Sequence, residues 1–340
     1  MAALLVAIGG LGATTRRPLV GIYPTMFPDY YEAYADWIAQ AGGDSLVLPR
    51  NLTDDSLLEA TFRSINALLI PGGADFVGNG SVDAFVYRAV RANLDDGDFF
   101  PIWGTCLGFE YLVDILGGPG ALVPRSPADP IVPGYDAEGL ALPLNLTEAA
   151  TNSRLFHGVD PALLDAVRRE NVTYNAHVQG IEPSSFMRNT PLKETFRVLG
   201  TSVDRNGRSF VALIEGARLP FYGTQFHPEK VEFVRQRWPA RTPVLHHALL
   251  PPAHPRFICA KSHPKWLASR VQVPSSPEQP NIPRSNDAKR FSRYLGSFFV
   301  AEARRNGHRN TVTMVTNSHD TIGADGTSPS LPSIRILPFS

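Results

Sequence analysis

One stretch of the sequence decides the fold: Asp96-Gly-Asp-Phe-Phe-Pro-Ile-Trp-Gly-Thr-Cys106-Leu-Gly-Phe-Glu-Tyr111. The apolar run from Phe99 to Trp103 is typical of a buried strand. After Cys106, apolar residues recur at helical spacing until Gly117 and Gly118 end the pattern. A strand, a tight turn and a helix, with glycine two residues on each side of Cys106, predict a nucleophile elbow.

The cysteine at this turn is predicted to be a nucleophile. Gly104 and Gly108 allow a strained backbone at Cys106 and close approach of neighbouring chain. The helix N-terminus favours the thiolate, because the positive end of the helix dipole lies there. The alternative is a structural cysteine that packs as a small apolar residue. With only two cysteines, Cys106 and Cys259, we expect no disulfide framework and a free thiol at Cys106.

A base for this thiol is predicted where a second strand ends. The run from Phe221 to Phe226 is strand-like, and His227 follows it just before Pro228, which cannot continue a ladder. Glu229 can hold the imidazole in one tautomer and support its charged form. The alternative is a surface or core histidine without a chemical role.

Backbone donors for an oxyanion are predicted at two turns. The buried strand that starts at Ala67 leads into Pro71-Gly72-Gly73. The N–H of Gly72 or Gly73, together with that of Leu107, can bind the oxyanion formed during nucleophilic attack. A Pro-Gly-Gly turn is common by itself, so this prediction depends on Cys106 and His227.

The order Pro-Gly-Gly, Gly-Thr-Cys-Leu-Gly, Gln-Phe-His-Pro-Glu-Lys resembles the class I glutamine amidotransferase-like superfamily. The fuller strings around Cys106 and His227 resemble its γ-glutamyl hydrolase branch, the folylpolyglutamate hydrolases. Further matches begin at Arg17, Leu142 and Asn281, so the resemblance covers about residues 17–232 and 281–306.

The resemblance implies a cysteine hydrolase that cleaves γ-glutamyl bonds in folylpoly-γ-glutamates through a γ-glutamyl thioester. It implies Cys106 as nucleophile, His227 as acid and base, and Glu229 as the residue that orients the imidazole. It also implies substrate contacts for Glu110 and His177. Lys230 is a natural partner for a substrate carboxylate, and it is equally compatible with a solvated surface lysine. A homodimer follows from the resemblance only.

Two other functions remain open. One is a glutaminase-type amidohydrolase of the same superfamily, because glutamine offers the same acyl carbon with ammonia as the leaving group. The other is a non-catalytic relative that binds γ-glutamyl ligands. The predicted chemistry needs no metal or organic cofactor, since a thiol, an imidazole and backbone donors suffice.

Composition sets the outer bounds. The chain has 340 residues, 43% of them hydrophobic, and a formal net charge of zero. We expect a single α/β domain over residues 16–306, with a small-molecule substrate and no nucleic-acid or membrane partner. Alternating strand and helix patterns predict a mostly parallel central sheet flanked by helices, with the elbow at a strand C-terminal end. A hairpin is predicted around Arg205-Asn-Gly207, and Thr53 is predicted to cap a helix.

Three segments stand apart from this domain. Residues 1–15 resemble the apolar part of a secretory signal peptide, or form an N-terminal extension. Sequons at Asn51, Asn79, Asn145 and Asn171 suit a secreted or lysosomal/vacuolar protein, and the resemblance implies the lysosome, vacuole or extracellular space. Residues 236–283 are proline-rich and predicted to be a poorly packed insertion, either genuine or a translated intron; transcript sequencing separates the two. Its histidines and Cys259 lack paired metal-ligand spacing. Residues 307–340 are predicted to be a mobile tail.

Overall fold

The computed structural model describes residues 17–25, 31–50, 52–73, 81–118, 134–233 and 281–309. The predicted leader 1–15, the insertion up to residue 280 and the tail from residue 310 lie outside these residues. The sequons at Asn51 and Asn79 also lie outside them.

Strands and helices alternate from β1 to α4, and the later part of the described chain contains both strands and helices. The strands are β1 (Leu19–Ile22), β2 (Asp44–Val47), β3 (Ala67–Ile70), β4 (Ile102–Thr105), β5 (Leu140–Leu142), β6 (Asn145–Leu146), β7 (Thr173–Asn175), β8 (Phe196–Val203), β9 (Ser209–Gly216) and β10 (Phe221–Thr224). The helices are α1 (Tyr31–Gln40), α2 (Asp55–Ser64), α3 (Val82–Leu94), α4 (Leu107–Gly117), α5 (Glu148–Thr151), α6 (Pro161–Arg169), α7 (Pro183–Arg188), α8 (Thr190–Thr195), α9 (Lys230–Phe233) and α10 (Asn286–Arg304).

An eight-stranded sheet in the order β2-β1-β3-β4-β10-β9-β8-β6 forms the centre of the molecule. The pairings from β2 to β10 are parallel, and those from β10 to β6 are antiparallel. The predicted mostly parallel sheet and the β8–β9 hairpin are confirmed. Because β3, β4 and β10 run in the same direction side by side, their carboxyl ends meet at one edge of the sheet.

Both faces of this sheet are covered. Along β3, Ala67 and Leu69 belong to one hydrophobic cluster, whereas Leu68 and Ile70 belong to another. This alternation follows from the two-residue repeat of a strand, and it explains why all four residues are apolar. On the first face, the rings of Trp37 and Trp103 meet edge to face at 5.6 Å. The strand ends at which the candidate site lies are therefore supported by a rigidly packed core.

The structure corrects two expectations. Asp54, and not Thr53, caps α2, and its carboxylate accepts a hydrogen bond from the Leu57 N–H at 2.8 Å. At the end of the predicted poorly packed insertion 236–283, Ile282 is well packed, because it is buried against Ala33 and Tyr174. Among the helices of the described part, none is both long enough and apolar enough to cross a membrane.

Candidate active site

Cys106 occupies the turn between β4 and α4, as predicted for a nucleophile elbow. Its backbone has φ 51° and ψ −106°, a conformation that costs a non-glycine residue about 1–3 kcal/mol. The Cys106 N–H donates to the carbonyl of Thr224 at the end of β10, at 2.7 Å. This hydrogen bond ties the strained turn to the neighbouring strand and fixes where the sulfur lies.

The two glycines beside the elbow are needed for close backbone approach. A Cβ at Gly108 would lie 1.9 Å from the carbonyl oxygen of Ile70, and a Cβ at Gly104 would lie 2.5 Å from the carbonyl oxygen of Gly108. Both separations are far below van der Waals contact, and neither neighbour is a movable side chain. Any larger residue at these positions would push α4 away from β3 or β4.

His227 and Glu229 form a buried hydrogen-bonded pair. Nδ1 of His227 lies 2.7 Å from Oε1 of Glu229, and the two side chains are 5% and 0% exposed. The His227 backbone is held by its N–H, which donates to the carbonyl of Tyr174 at 2.8 Å. Because a carboxylate only accepts, Nδ1 carries the proton, and Nε2 of the neutral imidazole is left as a base.

The side chains of Cys106 and His227 both lie next to Gly72. A Cβ built on Gly72 would lie 2.5 Å from Cε1 of His227 and 3.3 Å from Cβ of Cys106. The distance between Cε1 of His227 and Cβ of Cys106 therefore cannot exceed the sum of these two distances. Residues 121 positions apart in sequence are thus neighbours at the carboxyl edge of the sheet.

The electrostatics of Cys106 differ from the expected resting thiolate. Burial raises the pKa of the thiol well above its usual value, and the carboxylates of Glu110 and Glu229 raise it further. Lys230 is the positive side chain that opposes this rise. The sulfur also lies 3.9 Å from the Ala176 carbonyl, a fitting acceptor for a thiol proton. Desolvation and the nearby carboxylates thus favour the thiol, whereas the helix N-terminus considered alone favours the thiolate.

Burial likewise lowers the pKa of His227, and the charge of Lys230 lowers it further, against the opposing effect of Glu229. A neutral thiol therefore lies beside a neutral imidazole. This arrangement suits proton transfer from sulfur to nitrogen at the moment of attack, and it requires no ion pair in the free protein.

The Pro71–Gly73 turn (the oxyanion turn) directly follows β3 and lies at the same carboxyl edge of the sheet. The Gly72 N–H donates to the hydroxyl of Tyr34 at 2.8 Å, so this donor is already used. Of the two glycines predicted for the oxyanion hole, Gly73 is therefore the one we keep as a donor, together with Leu107 at the start of α4. Both assignments stay predictions.

The predicted substrate contacts Glu110 and Lys230 lie close to the thiol. Glu110 is buried on the first turn of α4, and Gln225 Nε2 donates to its Oε1 at 3.0 Å. Lys230 is also buried, with Nζ 5.5 Å from the centre of the Tyr174 ring. The two charges act in opposite directions on the pKa of Cys106, since Glu110 raises it and Lys230 lowers it. Lys230 is not a solvated surface lysine.

His177 presents a buried acceptor. Its Nδ1 lies 2.7 Å from the Gln179 carbonyl, which fixes the proton on Nδ1. Nε2 is then a lone pair, and among the described residues it has no hydrogen-bond partner. Burial lowers the pKa of His177 to about 4, so the ring stays neutral in mildly acidic solution. It can accept a hydrogen bond from a substrate N–H.

The low pKa of His177 predicts a pH-dependent stability. The unfolded chain binds this proton near pH 6.5, whereas the folded protein resists it down to about pH 4. Stability from this group is therefore complete above pH 6.5 and is lost as the pH falls toward 4. The wild-type protein should lose unfolding free energy between pH 7 and pH 4.5, in part because of His177. We expect this loss to be about 2–3 kcal/mol smaller in His177→Gln. Urea unfolding at the two pH values measures this, and equal losses in both proteins would contradict it.

Sequence reasoning missed three residues near the thiol. Tyr34 reaches the site from α1, and nothing distinguishes it in sequence from the other aromatic residues of an amphipathic helix. Gln225 lies two residues before His227. The two-residue repeat of an extended chain could therefore have indicated from sequence that both side chains lie on the same side. The carboxylate of Glu138, on the turn before β5, acts on both Cys106 and Lys230 and had no sequence signal.

No group of three His, Cys, Asp or Glu side chains within the described ranges could hold a metal ion. A thiol beside a hydrogen-bonded pair of imidazole and carboxylate is the arrangement expected of a cysteine-dependent acyl-transfer site.

A family model, Glutamine amidotransferase class-I, matches residues 26–239. The chain belongs to this family, and its mostly parallel sheet with a cysteine elbow is the fold expected of it. Among curated proteins, it is 31% identical to Gamma-glutamyl hydrolase of Mus musculus, over 86% of this chain and 80% of the mouse protein.

Two further relatives carry the same name. Gamma-glutamyl hydrolase of Homo sapiens is 30% identical over 87% of this chain and 81% of the human protein. Gamma-glutamyl hydrolase B of Dictyostelium discoideum is 30% identical over 65% of each chain. Within the class I family, the resemblance to the γ-glutamyl hydrolase branch is therefore confirmed over most of the chain.

Proposed function

We propose that this protein hydrolyses γ-glutamyl bonds, with Cys106 as the nucleophile. The observation that carries this is the meeting of a strained cysteine elbow with the His227–Glu229 pair across Gly72. The γ-glutamyl hydrolases of mouse, human and Dictyostelium support the choice of acyl group.

The reaction follows from the protonation states. Cys106 sulfur bonds to the γ-carbonyl carbon of the substrate as Nε2 of His227 takes the thiol proton. The N–H groups of Gly73 and Leu107 bind the oxyanion. The C–N bond then breaks, the leaving amine receives the proton from His227, and a γ-glutamyl thioester remains. Water attacks the thioester with His227 as base, which releases the acid and restores the thiol.

Glu229 stabilises the charged imidazole formed in each half of this cycle. Its carboxylate is buried, so its interaction with an imidazolium at 2.7 Å is stronger than it would be in water. It also keeps Nε2 directed away from itself. These roles match those of the acidic member of a catalytic triad.

The substrate class that fits these charges is a poly-γ-glutamate conjugate, and we propose folylpoly-γ-glutamates within it. Each residue of such a chain carries a carboxylate, which would pair with Lys230 and support the ammonium form against the burial that lowers the pKa of this lysine. Each also carries an amide N–H, for which His177 Nε2 is an acceptor. Free glutamine has the same acyl carbon but lacks the chain of carboxylates.

We expect the protein to release glutamate units from pteroyl-pentaglutamate and to release little ammonia from free glutamine at equal concentration. Chromatography of the pteroyl products and an ammonia assay measure the two reactions. Faster hydrolysis of glutamine would identify a glutaminase-type amidohydrolase. Binding of pteroyl-pentaglutamate without turnover would identify the non-catalytic alternative.

We also propose a lumenal or secreted location and a homodimer. The sequons at Asn145 and Asn171 support the former, because both asparagines are exposed in the folded chain. Glycosidase treatment of protein from its native source, and sedimentation of the purified protein, test the two proposals separately.

A further inference from the structure

The hydroxyl of Tyr34 lies among the groups of the active site although no motif marks it. Tyr34 is 1% exposed and projects from α1 toward the oxyanion turn. Its oxygen would lie 3.2 Å from a Cβ on Gly72, the position that also contacts His227 and Cys106. One backbone position is thus shared by the phenol, the imidazole and the nucleophile.

The charge state of Tyr34 is fixed by its surroundings. Burial raises the pKa of this phenol well above its usual value, and the carboxylate of Glu229 raises it further. Tyr34 is therefore a neutral phenol with one proton to donate and lone pairs to accept. One lone pair accepts the Gly72 N–H. The Tyr34 hydroxyl is thus hydrogen-bonded to the oxyanion turn and lies near the His227–Glu229 pair.

Helix α1 gives this hydroxyl a rigid base. The Tyr34 ring packs in the same buried cluster as Trp37 and Trp103, which belong to α1 and β4. One turn earlier, the Tyr31 hydroxyl donates to the Thr25 carbonyl at 2.9 Å. The helix is thereby attached to the chain after β1 as well as to the chain after β3.

We propose that Tyr34 is a positioning residue for the hydrolysis described above, on which this inference rests. By accepting the Gly72 N–H, it holds the oxyanion turn in the orientation that lets the next N–H, that of Gly73, bind the oxyanion. It acts through the backbone of Gly72 and does not touch the reacting atoms. Such a role affects the transition state more than substrate binding, since the oxyanion exists only after attack.

The test is Tyr34→Phe, which removes the oxygen and keeps the ring. We expect kcat on pteroyl-pentaglutamate to fall about ten- to a hundredfold, with KM unchanged. The rate of Cys106 alkylation by iodoacetamide should also stay unchanged, because the elbow is not altered. The matched control is Tyr294→Phe, which removes a hydroxyl bonded to the Leu155 carbonyl at 2.5 Å, far along the chain on α10. We expect it to keep the wild-type kcat.

A wild-type kcat in Tyr34→Phe would overturn the proposal. So would a loss of kcat matched by Tyr294→Phe, or one accompanied by higher KM and faster alkylation, since these indicate a general loosening of the fold. Absence of turnover in the wild-type protein would instead contradict the proposed function itself, so the two failures are distinguishable.

Discussion

Cys106→Ala is expected to abolish the hydrolysis of pteroyl-pentaglutamate, with a fall in kcat of at least about 10⁴-fold. The expected effect is large because the proposed mechanism is covalent. Without the sulfur no thioester forms, and the imidazole and backbone donors have no nucleophile to assist. Initial rates from product chromatography, with enzyme concentrations high enough to detect residual turnover, measure the effect.

Cys259→Ala is the matched control, because Cys259 is the second of the two cysteines in the sequence. It should keep the wild-type rate, since the mechanism uses one thiol. The thermal midpoint of Cys106→Ala should stay near that of the wild type, because alanine fits the same small buried space. Residual activity of more than a few per cent in Cys106→Ala would rule out the assignment of the nucleophile.

Gly108→Ala is expected to have the largest effect on stability. Its new methyl group would lie 1.9 Å from the Ile70 carbonyl oxygen, and backbone on both sides would have to move. We expect a loss of about 3 kcal/mol or more in unfolding free energy, or a failure to fold, because overpacking at a rigid contact is among the costliest substitutions. Urea unfolding followed by circular dichroism measures it.

Gly307→Ala serves as the control for this substitution. A Cβ at Gly307 has no atom within 4 Å, so its effect should stay within about 0.5 kcal/mol. If Gly108→Ala were as stable as Gly307→Ala and retained activity, α4 would not pack closely on β3.

The elbow could be predicted from sequence because its requirements are local. A strained cysteine and two close backbone contacts need glycine at fixed offsets, and Gly104 and Gly108 supply them. The pairing of His227 with Glu229 was likewise predictable, since both follow the same strand end. The parallel part of the sheet followed from the alternation of strands and helices.

The features that escaped prediction are those set by tertiary contacts. The protonation state of Cys106 depends on its burial and on carboxylates from α4, the turn before β5 and the turn after β10. The sequence argument for a thiolate used only the local helix N-terminus, and these long-range effects act in the opposite direction. Tyr34 was missed for the same reason, because its hydroxyl meets Gly72 across 38 positions of sequence.

The most direct test of the account is to identify the covalent intermediate. Wild-type protein is mixed with pteroyl-pentaglutamate, quenched with acid during turnover, digested and analysed by mass spectrometry. We predict a γ-linked acyl group on the peptide that contains Cys106, removable by hydroxylamine as expected for a thioester. Product formation with the acyl group on another residue, or with no acyl group on Cys106 at any quench time, would contradict the mechanism.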